Sequence, residues 1–183
     1  LMDNMVAASN RLINLINDLL DMTRLEEGRD IFDMKKQDLI SILKDILVRF
    51  EKIAEEKGIK LSLEIPARNL MLTFDKNKMA VAISNLVDNA VKYTLPGGKV
   101  SIKTLVEKNE VSISISDTGI GIPENEINHI FNRFFRASNA VTTETYGTGL
   151  GLAMTKEIVD KHTGSISFQS TEGKGAIFTI TLP

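Results

Sequence analysis

The residues best suited to chemistry begin with a polar stripe in the segment 75–93. Asn85, Asn89 and Lys92 stand at i, i+4 and i+7, so on a helix their side chains project from one face. An amide oxygen is a suitable ligand for Mg2+ and an ammonium group binds phosphate, so the stripe could hold a metal-bound nucleotide. The solvated face of any amphipathic helix shows the same pattern, and the stripe alone leaves both interpretations open.

A second candidate lies where an alternating strand, Val111 to Ile115, runs into Asp117, Gly119 and Gly121. Glycines at this place allow the backbone to approach a ligand closely. A carboxylate at the buried end of the strand could accept a hydrogen bond from the exocyclic amine of adenine, whereas guanine presents a carbonyl there. A strand that simply ends in an Asp-Gly turn is the alternative.

A third candidate is the glycine-rich start of the helix that runs to His162, with Gly147, Gly149 and Gly151. Free N–H groups at a helix start, unobstructed by side chains, form an anion site suited to phosphates. The spacing G-x-G-x-G differs from the dinucleotide fingerprint G-x-G-x-x-G, and no G-x-x-x-x-G-K sequence occurs. A purely structural use of these glycines is the alternative.

Composition excludes several classes of protein. The 183 residues include no Cys, which excludes disulfide scaffolds, thiol catalysis and zinc ribbons. The 22 basic residues are outnumbered by 24 acidic ones, so nucleic acid is not an expected partner. No apolar run approaches the roughly 20 residues that span a bilayer, so we expect a soluble, cytoplasmic piece without membrane contact of its own. Because it begins at Leu1 without a signal-peptide pattern, we expect it to come from a longer protein.

The elements that must position these residues follow from periodicity. The first segment has a heptad seam typical of a bundle helix, formed by Met5, Ala8, Leu12, Leu15, Leu19 and Met22 and widened by Ile13, Ile16 and Leu20. From about residue 30 the period changes repeatedly between two and 3.6, which predicts an α+β sandwich. Asp38 and Asp75 are expected to cap helices, and turns at 108–109 and 172–175 predict two hairpins. About three helices would cover one sheet of five or six strands.

The order and spacing of the motifs resemble the N, G1, F and G2 boxes of bacterial sensor histidine kinases. The matching patterns are Asn85-x-x-x-Asn89-x-x-Lys92-Tyr93, Asp117-x-Gly119-x-Gly121, Phe131-x-x-Phe134 and Gly147-x-Gly149-x-Gly151. The resemblance implies that residues 1–27 are the second helix of the dimerisation and histidine phosphotransfer domain, which is incomplete here. Residues 28–183 would be the catalytic ATP-binding domain, a two-layer α/β sandwich of the Bergerat or GHKL fold with a mixed sheet of about five strands.

The resemblance also implies roles for single residues. Asn89 would coordinate Mg2+, with Asn85 supporting the same phosphate region. Phosphates would be contacted by Lys92, Tyr93 and Arg136 and cradled by the segment Gly147, Thr148, Gly149, Leu150 and Gly151. Asp117 would bind the adenine amine, with Gly119 and Gly121 lining the base pocket. Phe131 and Phe134 would be cofactor-binding residues in the segment that precedes a mobile lid over 138–146, although these aromatic residues and Phe135 could equally be core residues of a short helix.

The activity implied is transfer of the γ-phosphate of Mg-ATP to a histidine, for relay to the receiver domain of a response regulator. The parent would be a homodimer through a four-helix bundle, and most of the family is membrane-anchored.

The acceptor histidine is absent: neither His129 nor His162 precedes an acidic residue, so we expect structural roles for both and no autophosphorylation by this fragment. An ATP-responsive interaction module without phosphotransfer is the alternative. An amide at Asn85, where the related ATPases have Glu, disfavours hydrolysis because an amide is no general base. Asn85 and the bundle-like helix also disfavour an anti-sigma-factor-type Ser/Thr kinase.

Overall fold

The computed structural model describes residues 2–66, 69–143 and 147–183, without the side chains of residues 2–8, 10, 11 and 14. Met5 and Ala8 of the predicted seam therefore lie outside the described side chains, and 144–146 of the predicted lid lie outside the described residues. The helices are α1 (Met2–Glu26), α2 (Leu39–Glu56), α3 (Lys76–Tyr93), α4 (Ser138–Thr143) and α5 (Gly151–Lys161), with a 3-10 helix at Glu124–His129. The strands are β1 (Lys35–Asp38), β2 (Lys60–Glu64), β3 (Met71–Phe74), β4 (Lys99–Glu107), β5 (Glu110–Asp117), β6 (Ser165–Thr171) and β7 (Gly175–Leu182).

The main sheet has five strands in the order β2-β4-β5-β7-β6. It is mixed, because β2 runs parallel to β4 while the other neighbours are antiparallel. Residues alternate along β4 and β5, so that one face of the sheet is buried beneath α2, α3 and α5. This is the α+β sandwich that the sequence predicts. No helix within the described ranges is long and apolar enough to cross a lipid bilayer.

The predicted helix caps are present. The Asp38 carboxylate accepts a hydrogen bond from Ile40 N at 3.1 Å, and Asp75 accepts one from Lys78 N at 2.9 Å, so each satisfies a free N–H group of the first helical turn. The sequence also predicts a second short strand that carries Leu70, Leu72 and Phe74, and this strand does not join the main sheet. It is β3, and it pairs with β1 in a separate antiparallel ribbon. The polar sequence of β1 lacks the apolar alternation by which a strand can be found.

Helix α1 packs on the sandwich by its C-terminal end. Met22 and Leu25 are buried in the same core as the sandwich, and α1 lies against α5. Its other apolar side remains exposed, including Leu12, Ile16 and Leu19. The bundle seam predicted from the sequence is thus divided between a side that packs within this chain and a side that is available for another helix.

The hydroxyl of Thr104 gives a first testable prediction. Thr104 faces the core from β4, and its Oγ1 is buried without a hydrogen-bond partner among the described residues. Valine has nearly the same shape and no polar atom to desolvate, so Thr104→Val should raise the free energy of unfolding by about 1 kcal/mol in urea titrations. Thr94 is a matched control, because its buried Oγ1 donates to Ala90 O at 2.6 Å. Thr94→Val should lower stability by about 1 kcal/mol, and stabilisation by both changes would contradict this explanation.

Candidate functional site

A cavity of about 650 Å³ opens beside α3, at the end of β5. Its volume is in the range of small-molecule and cofactor sites. It brings together most of the residues singled out from the sequence: Asn85, Asn89, Lys92, Tyr93, Asp117, Gly121, Arg136, Gly147, Thr148, Gly149 and Gly151. Four others do not line it, namely Gly119, Phe131, Phe134 and Leu150. The three separate candidates of the sequence therefore form one site.

Helix α3 supplies the amide and ammonium groups. Its opposite face buries Met79, Ile83 and Leu86, which fixes the direction in which the polar stripe points. Asn85 Nδ2 donates to Gly151 O at 3.2 Å, so the amide joins α3 to the first residue of α5. Asn89 lies one turn further along and lines the cavity.

The end of β5 presents Asp117. Its Oδ1 accepts hydrogen bonds from Gly119 N at 2.8 Å and Ala176 N at 3.3 Å. Burial raises the pKa of this carboxyl, and the two backbone N–H groups partly offset the increase. Because both bonds go to Oδ1, the Oδ2 atom is left to accept from a ligand. Gly119 donates to Asp117 from a position where only glycine fits, because a Cβ there would overlap with the carbonyl oxygen of Tyr93.

Gly121 and α4 form the next part of the wall. Gly121 has φ +63°, and a Cβ there would overlap with the carbonyl oxygen of Thr171. Asn139 of α4 also lines the cavity, and its Nδ2 donates to Gly121 O at 3.0 Å. This bond fixes the start of the predicted lid to the loop that follows Asp117. Nothing in the sequence pattern distinguishes Asn139 from its polar neighbours.

Of the aromatic residues near the site, Phe134 contacts the glycine segment through its backbone. Phe131 packs edge-on against Phe168, with ring centroids 5.8 Å apart. Phe134 is exposed, has φ +61°, and donates its N–H to Gly149 O at 2.9 Å. Gly149 has φ +70°, and a Cβ there would lie 2.6 Å from the carbonyl carbon of Phe134. Phe135, which the motif match omits, does line the cavity.

The glycine segment begins beside two basic groups. A Cβ on Gly147 would lie 3.3 Å from Arg136 Nε and 3.4 Å from Lys92 Nζ, so both cations reach this backbone. Leu150 is fully buried and anchors the segment in the core, and its N–H donates to Thr148 Oγ1 at 3.3 Å. Backbone N–H groups and two cations at one end of a cavity are groups that can bind phosphate.

Helix α1 also reaches the cavity, which the sequence does not predict. Leu15 and Asp18 line it, and Thr148 Oγ1 donates to Asp18 Oδ2 at 3.1 Å. The heptad pattern shows that this helix packs against something, but it does not reveal which surface of the chain receives it.

Both histidines lie outside the cavity lining. His129 is exposed at the end of the 3-10 helix. His162 is buried: Asp75 N donates to its Nε2 at 3.0 Å, and its Nδ1 lies 2.7 Å from Ile158 O. Because Nε2 accepts, the proton is on Nδ1 and is donated to Ile158 O, so the neutral ring joins α5 to the start of α3.

The surroundings of Asn89 would suit a cation that is coordinated mainly by the phosphates of a bound nucleotide. In the described part of the chain, no group of three or more His, Asp or Glu residues could form a metal cage. Mg2+ commonly binds through one or two protein oxygens together with substrate phosphates and water. A side-chain amide oxygen in the wall of a cavity that also has a phosphate site is such a donor.

Comparison with known proteins identifies relatives that agree with one another. A family model described as "Histidine kinase-, DNA gyrase B-, and HSP90-like ATPase" matches residues 74–183. Sensor histidine kinase WalK of Bacillus subtilis is 36% identical over 177 residues, which are 96% of this chain and 29% of WalK. Sensor-like histidine kinase SenX3 of Mycolicibacterium smegmatis is 35% identical over 181 residues, or 99% of this chain and 47% of SenX3. The chain thus spans less than half the length of either relative.

A solved structure gives a similar result for the fold. The crystal structure of full-length ShkA in complex with AMPPNP superimposes with a TM-score of 0.84 and 25% sequence identity. The match covers 97% of this chain and 36% of ShkA, so it includes both α1 and the sandwich.

Proposed function

Because this chain belongs to the family of histidine kinase-, DNA gyrase B- and HSP90-like ATPases, we propose that it is the ATP-binding catalytic portion of a sensor histidine kinase. The observation that carries the proposal is the single cavity in which Asp117, the amides of α3 and the glycine segment meet. An amide stands at Asn85, so no carboxylate there activates water for hydrolysis. This favours transfer of phosphate to a protein group.

Each part of the site has a role in the proposed reaction. Asp117 Oδ2 accepts a hydrogen bond from the exocyclic amine of adenine and thereby orients the base. Lys92, Arg136 and backbone N–H groups of the glycines in the segment 147–151 bind the phosphates and stabilise the charge that develops during transfer. The bond between the γ-phosphorus and the β,γ-bridging oxygen breaks while a bond to an imidazole nitrogen forms, ADP leaves, and the imidazole releases its proton. The site contributes positioning and charge neutralisation.

Magnesium belongs to the proposal as the partner of Asn89. When bound, Mg2+ would neutralise charge on the phosphate oxygens and so favour attack at the γ-phosphorus. The Asn89 amide oxygen would hold it from α3, and the phosphates and water would complete its coordination. Tyr93 would contact the phosphates beside Lys92, and the backbone around Gly121 would line the pocket for the base.

The remaining roles concern the larger protein. Residues 1–27 would belong to the dimerisation and phosphotransfer domain, with 28–183 as the catalytic domain. The exposed apolar side of α1 suits a homodimeric four-helix bundle. The acceptor histidine would be supplied by another helix, and the phosphate would pass to the receiver domain of a response regulator. The parent would be anchored in a membrane with this part in the cytoplasm.

A calorimetric titration followed by a transfer assay tests this function. We expect the chain to bind ATP more tightly than GTP, with Mg2+ strengthening the interaction, and to phosphorylate a supplied acceptor domain but not itself. Binding without transfer would favour the alternative, an ATP-responsive interaction module. Phosphate on His129 or His162 would contradict the expectation that both are structural.

The substitution Asn89→Ala tests whether Asn89 contributes to ATP binding through the metal ion. The substitution should reduce the gain in ATP affinity that Mg2+ provides by roughly tenfold, because one of the few protein ligands of the cation is removed. Binding of ATP in EDTA should change little. Asn125→Ala, at an exposed position of the 3-10 helix, is the matched control. An equal loss of affinity with and without Mg2+ would show that Asn89 holds the nucleotide or the fold instead.

A further inference from the structure

One face of α1 packs on the rest of the chain along about three turns. Leu15, Asp18, Met22 and Leu25 follow one another at spacings of three, four and three, and so share a face. Met22 and Leu25 are 2% and 1% exposed, while Leu15 and Asp18 line the cavity. Glu26 forms an ion pair with Arg133, next to the residues that support the glycine segment. The contact of Asp18 with the site is therefore part of a continuous interface.

The contact places a carboxylate at the phosphate end of the cavity. Thr148 lies between Gly147 and Gly149, and its hydroxyl donates to Asp18 Oδ2 at 3.1 Å. A phosphate chain bound by the glycine segment would lie beside this negative charge. It would also lose the Thr148 hydroxyl as a donor. Like charges repel more strongly at a partly buried position than in water, since the effective dielectric constant is lower there.

We propose that Asp18 is a charge-selecting residue of this nucleotide site, which weakens the binding of highly charged phosphate chains while α1 is packed against the cavity. The inference rests on the proposed function, because it requires that the site binds nucleotides. Packing of α1 and binding of a triphosphate then oppose each other. By thermodynamic linkage, a triphosphate must weaken the packing of α1 by the same factor by which that packing weakens its binding.

The surroundings of Asp18 disfavour the charged form of its side chain. Burial raises the pKa of Asp18; the Thr148 hydroxyl opposes this increase, and the charge of Asp21 adds to it. The ionised side chain is thus less stable against the cavity than in water. The opposite apolar side of α1 is exposed, so release of the helix from the cavity would separate Met22 and Leu25 from the core but would break no contact of the exposed side.

Calorimetry with ligands of increasing charge tests the proposal. Adenosine, ADP and ATP are titrated with and without Mg2+ into the chain and into Asp18→Asn, which keeps an oxygen to accept from Thr148. Without Mg2+, Asp18→Asn should bind ATP roughly threefold to tenfold more tightly, with a smaller gain for ADP and none for adenosine. Asp21→Asn removes one charge from an exposed position of the same helix and should change no affinity beyond about twofold. Mg2+ and added salt should both reduce the effect of Asp18→Asn.

Hydrogen exchange gives a second readout. Amides of 15–25 should exchange faster after addition of ATP to the original chain, and adenosine should leave them unchanged. An equal gain for adenosine and ATP, or weaker ATP binding by Asp18→Asn, would overturn the inference; weaker binding seen only with Mg2+ would make Asp18 a ligand of the cation. If the original chain bound neither adenosine nor ATP, the proposed function itself would fail, whereas binding of both without a charge-dependent effect would refute only the role of Asp18.

Discussion

Asp117→Asn is expected to weaken ATP binding roughly a hundredfold or more while leaving the fold intact, because the two functions of this side chain use different oxygens. Oδ1 accepts from Gly119 N and Ala176 N, and an asparagine oxygen can accept both bonds. The substituted NH2 group would then replace Oδ2 and face the adenine amine, so that a donor meets a donor. Calorimetric titration with ATP measures the loss.

The same substitution should change which base is preferred. Guanine presents a carbonyl where adenine has its amine, and the new NH2 group can donate to it. The affinity for GTP should therefore rise while the affinity for ATP falls, so the ratio of the two affinities should fall by more than the ATP affinity does. An unchanged ratio would mean that Asp117 does not face the base.

The stability of Asp117→Asn supplies a control with a defined sign. Burial raises the pKa of the Asp117 carboxyl above its unfolded value, so the stability that this group contributes is greatest below the unfolded pKa and is lost as the pH rises through the folded pKa. Asparagine has no such dependence. We expect the variant to be at least as stable as the original chain at about pH 7, with its relative advantage decreasing toward about pH 4. Urea unfolding at several pH values measures this difference.

The site could be predicted from the sequence to the extent that its residues lie on regular elements or at glycines. Asn85, Asn89 and Lys92 are spaced by the helical period, and the period survives because Met79 and Ile83 bury the opposite face. Asp117 follows an alternating strand whose end is visible in the sequence. In such places the local pattern and the tertiary position agree.

The parts that escaped prediction depend on which surfaces meet. Asn139 and Asp18 are polar residues on helices without a distinguishing pattern, and their position at the cavity is decided by how α4 and α1 pack. Phe134 was expected to bind the ligand, but the structure places it outside the cavity lining, where its N–H joins the chain to Gly149. Its role in binding stays a prediction. The strand β1 is short and polar and exists because β3 pairs with it, a contact between residues distant in sequence.

Gly121→Ala is expected to be the most destabilising of the substitutions considered, lowering the free energy of unfolding by about 3 kcal/mol or more. The residue has φ +63°, which L-residues adopt at a cost, and a Cβ would also overlap with the carbonyl oxygen of Thr171. Neither backbone can yield easily, because Asn139 Nδ2 holds Gly121 O and Gly173 N donates to Ile120 O at 2.8 Å. Urea unfolding of the purified variant measures the loss.

A control at Gly173 separates the cost of the positive φ from the cost of the overlap with Thr171. It has a similar φ of +74°, but a Cβ there would meet no atom within 4 Å. Gly173→Ala should therefore lose only the cost of the left-handed backbone, about 1 kcal/mol, and should keep its affinity for ATP. The folded fraction of Gly121→Ala should bind ATP weakly, because a shifted Gly121 moves the wall of the cavity. If both variants lost the same stability, the backbone at Thr171 would be free to relax, and Gly121 would be required for its φ alone.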